Sequence, residues 1–153
     1  MTIVVTGAAG FIGSNFVKLL LTQTTQPVIS FDALTYAGNL KNISTIHNSN
    51  HTFIKGNICS QTDINQLFEN HSIHTIYHFA AESHVDRSIQ SSDPFIQTNI
   101  VGTQRLLDAA KHHNVSKFIH ISTDEVYGTL STNDPAFTEQ HPIAPNSPYS
   151  ASK

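Results

Sequence analysis

The residues best suited to do chemistry crowd toward the end of the sequence. Ser122-Thr123-Asp124-Glu125-Val126-Tyr127-Gly128 sets two adjacent carboxylates beside a hydroxyl, just past an apolar run that reads as a strand. In an open parallel sheet, the carboxyl ends of the strands border the ligand crevice. Two carboxylates placed there can divide acid and base roles when their surroundings separate their pKa values. The same spacing fits a solvated acidic turn equally well. Farther on, Tyr149 and Lys153 stand four apart, so on a helix they share a face. A phenol, with an ordinary pKa of about 10, is a poor base, but a neighbouring ammonium favours its phenolate. Such a pair can take the proton of an alcohol while hydride leaves the carbon. A plain amphipathic turn would show that spacing too.

A second stretch could hold the hydride acceptor. Thr2–Thr6 reads as a strand and runs directly into Gly7-Ala8-Ala9-Gly10-Phe11-Ile12-Gly13-Ser14, which opens a helix. Glycines at Gly7, Gly10 and Gly13 permit a tight turn, close approach of backbone N–H groups to a pyrophosphate, and close helix–strand packing. The helix N-terminus adds a field that favours the anion. Three spaced glycines alone are weak evidence, since a tight strand–helix turn needs them as well. The context is stronger, because Asp32 closes the second strand about 20 residues on, where a ribose hydroxyl is bound. Asp32 would repel a 2′-phosphate, and no Lys or Arg follows before Lys41. That pattern favours NAD over NADP.

The elements that must position these residues follow from the period of the apolar positions. Helices are expected over Phe11 to about Thr24, around Leu40 to His47, and from Asp63, as N-cap, to about Asn70. Further strands are expected at Val28–Phe31, Thr52–Lys55, Ile73–Phe79 and Phe118–Ser122. Asp93 reads as a cap with Pro94 at the first helical position, and Ile96, Ile100, Leu107 and Ala110 mark one helix face. Gly128 to Pro148 carries four prolines and reads as a long loop. Strands alternating with helices imply an α/β fold with a parallel, doubly wound, Rossmann-like sheet and right-handed crossovers.

Composition closes other routes. Net charge is −3 with no block of Lys or Arg, so nothing marks a nucleic-acid surface. Cys59 is the only cysteine; it excludes an internal disulfide and suits a reducing, cytoplasmic setting. No signal peptide or membrane-length apolar run is visible, and the N-x-S/T triplets at Asn42, Asn50 and Asn114 read as chance matches. Ten histidines raise the question of a metal. His74 and His78 share a strand face and His112 and His113 end a helix, but neither pair has a third ligand at metal spacing, so no metal site is expected.

Taken together, the motifs resemble those of the extended short-chain dehydrogenases along the whole sequence. Within that superfamily the chain is most similar to the dTDP-glucose 4,6-dehydratases. The matching stretches are Thr6–Gly13, Phe31–Leu40, His78–Ile89, Thr98-Asn99 with Gly102-Thr103, Ser122–Gly128, and Ser147–Lys153. The Thr-Asp-Glu arrangement within Ser122–Gly128 discriminates most, because epimerases and decarboxylases of the superfamily usually lack it. The resemblance implies that Tyr149 deprotonates a sugar 4-hydroxyl while hydride passes to NAD. It further implies that Glu125 abstracts the C5 proton, Asp124 protonates the departing 6-hydroxyl, and Thr123 hydrogen-bonds the 4-oxygen. Lys153 would hold the nicotinamide ribose and lower the phenol's pKa. The cofactor contacts implied are Gly7, Gly10, Phe11, Ile12, Gly13, Asp32, Ala33, Leu34, Thr35, Ile58, Phe79, Ala80, Ala81, Glu82, Ser83, Thr98, Tyr149 and Lys153, with Ser83 also touching the sugar. His84 falls inside a matched stretch. At one point the sequence departs from the family: Gly56-Asn57-Ile58 replaces Gly-Asp-Ile, whose Asp bonds the adenine amine. Asn57 can accept from that amine through its oxygen, so a weakened adenine contact is expected.

The family continues beyond the equivalent of Lys153 with further strands and a C-terminal sugar-nucleotide domain, and its members commonly dimerise. Residues 1–153 therefore read as an incomplete NAD-binding domain without its substrate domain. The expectations are a catalytic helix too short to hold itself, an exposed fifth strand, weak NAD binding and no turnover by this piece. The remaining alternatives are a UDP-sugar 4,6-dehydratase, a 4-epimerase, and a stand-alone nucleotide-binding or oligomerising module.

Overall fold

The structure is a computed structural model and describes residues 1–153. Its chain divides into two compact units, Met1–Ala80 with Gly102–Ile121 and Ala81–Val101 with Ser122–Lys153.

The first unit is a parallel sheet of five strands: β1 Thr2–Thr6, β2 Val28–Asp32, β3 His51–Lys55, β4 Ile73–His78 and β5 Lys117–His120. Their order is β3-β2-β1-β4-β5. The reversal of direction falls beside β1, which pairs with β2 on one side and β4 on the other. Central strands of such a sheet are covered on both faces, and β2 accordingly has no exposed residue. One face is covered by helix α1, Phe11–Gln23, through Val17 against Ile3, Val5 and Val28. Helices α2, Gln61–Asn70, and α5, Thr103–His112, cover the other. There Ile64, Leu67, Leu106 and Ala110 pack on Val4, Ile29, Phe31 and Ile76. Leu106 is fully buried, and cutting such a side chain to Ala costs about 2–5 kcal/mol.

The second unit holds helix α3, Val85–Gln90; the short α4, Asp93–Phe95; the π-helical stretch Ile96–Gly102 as far as Val101; a 3-10 turn at Asp124–Tyr127; and helix α6, Pro148–Ser152. Residues 128–147 form neither helix nor strand, as the prolines predict. They are nonetheless pinned. Gly128 takes φ +103°, Ala144 N–H donates to the Val126 carbonyl at 2.9 Å, and the rings of Tyr127, Phe137 and His141 cluster.

Local expectations needed correction in three places. Asp63 does not cap α2. Ser60 does, accepting the Asp63 N–H at 3.2 Å, while the Asp63 carboxylate turns back to the Asn57 N–H. Over residues 40–47 only Leu40–Asn42 is helical, as one 3-10 turn capped by Asn39. Ser92, not Asp93, occupies the cap position of α4. The buried positions beyond it are Phe95, Asn99, Gly102, Leu106 and Ala110, whereas Ile96, Ile100 and Leu107 are exposed. Two apolar stripes compete along this stretch, and packing buries the one through Phe95, Leu106 and Ala110. A polar Asn and a Gly inside the buried stripe conceal it from an apolar-period reading. No helix is long and apolar enough to cross a membrane.

Candidate functional site

The glycine turn expected to cradle a phosphate belongs to the first unit and is built almost wholly of backbone. At the end of β1, Gly7 takes φ +64°, and a Cβ there would stand 2.6 Å from the Ala80 nitrogen. At Gly13 a Cβ would reach 2.2 Å from the Gly7 carbonyl oxygen, so α1 approaches the turn as closely as a side chain would forbid. Gly10 is the N-cap of α1 in extended conformation and supplies no side-chain cap. The amides of the first turn, at Phe11, Ile12 and Gly13, are thus left without intrahelical acceptors. Phe11 and Ile12 hold their side chains out to solvent, 81% and 64% exposed. Missing side chains, free amides and an uncapped helix N-terminus together fit a bound pyrophosphate.

Asp32 stands at the end of β2, 7% exposed. Its carboxylate accepts from Ala9 N–H at 2.8 Å and Leu34 N–H at 2.7 Å, one on each oxygen. Each oxygen keeps a lone pair for a ribose hydroxyl. Ala33 and Leu34 are half-buried and Thr35 exposed, with Leu34 at φ +56°. The loop they begin returns to the cradle, where Asn39 N–H and the Asn42 side chain both donate to the Ala9 carbonyl. Asn57 is exposed and Ile58 buried after β3. Phe79 lies with its ring 5.1 Å from that of Phe16. Ala80 N–H donates to the Thr6 hydroxyl at 3.2 Å. Thr6 in turn bonds His78 Nδ1 at 2.6 Å, and His78 Nε2 bonds Thr103 at 2.9 Å. The sequence showed His78 only as one member of a strand pair. The structure makes it a fully buried brace.

The second unit brings Thr123, Asp124, Glu125, Tyr149 and Lys153 together. Thr123 is the N-cap of the Asp124–Tyr127 turn and accepts the Glu125 N–H at 3.3 Å. The Thr123 hydroxyl donates to the Asp124 carboxylate at 3.4 Å and stands close enough to the Tyr149 phenol to favour its ionised form. Asp124 is exposed and Glu125 half-buried, so the two carboxylates meet different surroundings. Helix α6 holds its shape despite five residues because it is capped and tied. Ser147 and Ser150 form a reciprocal capping box, and Pro148 takes the first turn with its φ already set. Tyr149 N–H donates to the buried Ser88 hydroxyl at 3.1 Å, and the Ser152 hydroxyl donates to the Tyr149 carbonyl at 2.7 Å. Asn99 Nδ2 donates to the Ser152 hydroxyl at 2.8 Å and to the Glu82 carbonyl at 2.9 Å, and Asn99 Oδ1 accepts the Glu82 N–H at 2.7 Å. Ala81 and Thr98 are half-buried and Ser83 exposed. Ser88, Asn99 and Ser152 had no assigned role in the sequence reading. A buried polar side chain leaves no periodic signal.

The electrostatics differ from expectation at Tyr149. Burial pushes its phenol above the ordinary value, the Thr123 hydrogen bond pulls it back, and the Glu125 and Asp124 carboxylates push it up again. Burial lowers the Lys153 ammonium pKa. No group of three or more His, Cys, Asp or Glu gathers to hold a metal.

With this geometry in view, the chain can be set beside known proteins. The family described as GDP-mannose 4,6 dehydratase matches residues 4–153. A dTDP-glucose 4,6-dehydratase of an Actinoplanes species is 49% identical over 100% of this chain and 49% of its own length. The chain thus spans about half the length of the curated relatives it matches. Among solved structures, DesIV, a dTDP-glucose 4,6-dehydratase from Streptomyces venezuelae with NAD bound, superposes with a TM-score of 0.91 at 44% identity, covering 100% of this chain and 48% of that one. The UDP-glucose 4-epimerase of Thermus thermophilus in complex with NAD gives 0.90 at 30% identity, covering 100% and 47%. The cradle, the Rossmann-like sheet and the matched residues together place the chain in the GDP-mannose 4,6 dehydratase family.

Proposed function

We propose that the chain is the dinucleotide-binding part of an NAD-dependent sugar-nucleotide 4,6-dehydratase acting on a dTDP-glucose-type substrate. The observation that carries this reading is the Thr123-Asp124-Glu125 turn, whose three polar side chains all act on the Tyr149 phenol. Oxidation and re-reduction at one carbon, as in epimerisation, need a base at the alcohol and nothing more. Loss of water across C5 and C6 needs a further base for the C5 proton and an acid for the leaving hydroxyl. Asp124 and Glu125 supply that second pair.

NAD, when bound, supplies a reversible store for one hydride. Gly7, Gly10 and Gly13 with the first-turn amides of α1 would hold its pyrophosphate, and Asp32 the adenosine ribose. Phe79, Ala80, Ala81, Glu82, Ser83 and Thr98 are assigned to the remainder of the cofactor. Tyr149 takes the 4-hydroxyl proton and Thr123 donates to the 4-oxygen. Glu125, less solvated, removes the C5 proton, and Asp124 delivers a proton to the 6-oxygen as it leaves. Lys153 would bind the nicotinamide ribose, and Ser83 would touch the sugar. The 4-ketone formed first acidifies C5–H, so the ketone must precede water loss. The active enzyme is assigned as a homodimer in a reducing compartment. Exposed Ile96 and Ile100 support a covered helix face, and the single Cys59 supports the compartment.

The test is dTDP-glucose turnover in deuterium oxide by the protein carrying this chain. Wild type is expected to place deuterium at C5 of a 4-keto-6-deoxy product. Glu125→Gln is expected to form the 4-ketone without that exchange. An epimerised sugar with protium at C5 would overturn the dehydratase reading in favour of the epimerase.

A further inference from the structure

The base end of the cofactor pocket can be located from topology alone. A dinucleotide lies over the carboxyl ends of the strands, with its pyrophosphate on the turn after β1 and its ribose at the end of β2. The strand order continues from β1 through β2 to β3, so the purine carried by that ribose extends over the end of β3. The residues there are Gly56, Asn57 and Ile58, and the Gly56 N–H donates to the Asp32 carbonyl at 3.0 Å. They form a braced turn. Asn57 N–H donates to the Asp63 carboxylate at 2.8 Å, Ser60 N–H to the Asn57 carbonyl at 2.9 Å, and Cys59 N–H to Asn57 Oδ1 at 2.8 Å. The Arg105 guanidinium donates to the Cys59 carbonyl.

This turn decides which way the Asn57 amide faces. Cys59 N–H takes one lone pair of the Asn57 oxygen and turns that oxygen inward, so the NH₂, and not the oxygen expected from the sequence, is the end left without a partner. Asn57 Nδ2 and the Ile58 N–H have no partner within the chain. The purine therefore meets two donors. A 6-amino purine offers a donor at position 6 and an acceptor at N1, and a 6-oxo purine offers the reverse. Two protein donors satisfy one position of either base and oppose the other.

We propose that Asn57 sets base selectivity, making the pocket accept a 6-oxo purine dinucleotide as readily as a 6-amino one. The inference rests on the dinucleotide reading above. An Asp at this position would keep its bond from Cys59 and present an acceptor beside the Ile58 donor, which matches the 6-amino purine at both positions and opposes the 6-oxo purine at both.

The experiment is titration calorimetry of the chain and of Asn57→Asp with NAD and with nicotinamide hypoxanthine dinucleotide. Wild type is expected to bind the two within about threefold of each other. Asn57→Asp is expected to shift the ratio toward NAD by about tenfold, the scale of one to two net hydrogen bonds. A wild-type preference above tenfold for either base, or an unchanged ratio in the variant, overturns the assignment. The wild-type comparison stands whatever the variant does. Binding of neither dinucleotide overturns the dinucleotide reading itself, an outcome distinct from binding both with an unmoved ratio.

Discussion

The glycine cradle and the Thr123-Asp124-Glu125 turn with Tyr149 hold their working atoms in place by different means. In the cradle those atoms are backbone amides, and their geometry is set by what is missing. Side chains are absent at Gly7, Gly10 and Gly13, and no capping group stands at the head of α1. Around Tyr149 the working atoms are side chains, and polar residues distant in sequence hold them. Ser88 reaches Tyr149 across 61 positions and Asn99 reaches Ser152 across 53. Steric exclusion tolerates no added atom. A hydrogen-bonded brace fails in proportion to the bonds removed. The two regions should therefore break differently.

The largest effect is expected at Gly13→Ala, whose new Cβ would meet backbone oxygen with nowhere to move. We expect a loss of about 3 kcal/mol or more in urea unfolding, from overpacking against main chain, together with loss of dinucleotide binding. Gly10→Ala, whose Cβ would stay 3.2 Å from the nearest atom, should cost far less. Equal losses from the two variants would end the steric account of the cradle.

Asn99→Ala comes next. It removes three hydrogen bonds at a buried position, and we expect it to cost about 2–4 kcal/mol. Hydrogen exchange should locate the loss at the amides of Glu82 and residues 150–153, with those of β1 unchanged. Equal loss of protection in β1 would show that the two regions do not fail separately. Ser147→Ala deletes half of the capping box and should cost about 1 kcal/mol, read as faster exchange at the Ser150 amide.

The smallest effect is electrostatic. Glu125→Gln removes a charge that raises the Tyr149 phenol, so tyrosinate absorbance, referenced to Tyr149→Phe, should rise at lower pH in the variant. The sign carries into stability. The folded state holds this proton more tightly than the unfolded chain does. Stability is accordingly kept below the ordinary phenol value of about 10 and declines as pH rises beyond it toward the folded value. An unmoved titration would remove Glu125 from the phenol's surroundings.

Legibility in the sequence followed the range of the contacts. Five strands were anticipated within one or two residues, because each is a short run rich in apolar residues set between helical patterns. The cradle was legible because its glycines and the helix they open are adjacent in the chain. The Asp93 cap, the Asp63 cap and the Ile96–Ile100–Leu107 face were misplaced. In each case a local pattern had a competitor, and packing chose the other. The raised phenol of Tyr149 was not legible either, since spacing places Lys153 near it but says nothing of how deeply each is buried.

By itself the sequence determined the alternation of strand and helix, the glycine turn, the acidic end of β2 and the grouping of Thr123, Asp124 and Glu125. These depend on conformational preferences and spacings a few residues long. Only the tertiary structure decided that His78 braces Thr6 against Thr103, that Asn99 and Ser88 hold α6, and that Asn57 turns its amide nitrogen outward. Each of those outcomes depends on where a buried donor finds its acceptor, and the acceptor is assigned when distant segments pack and water is excluded.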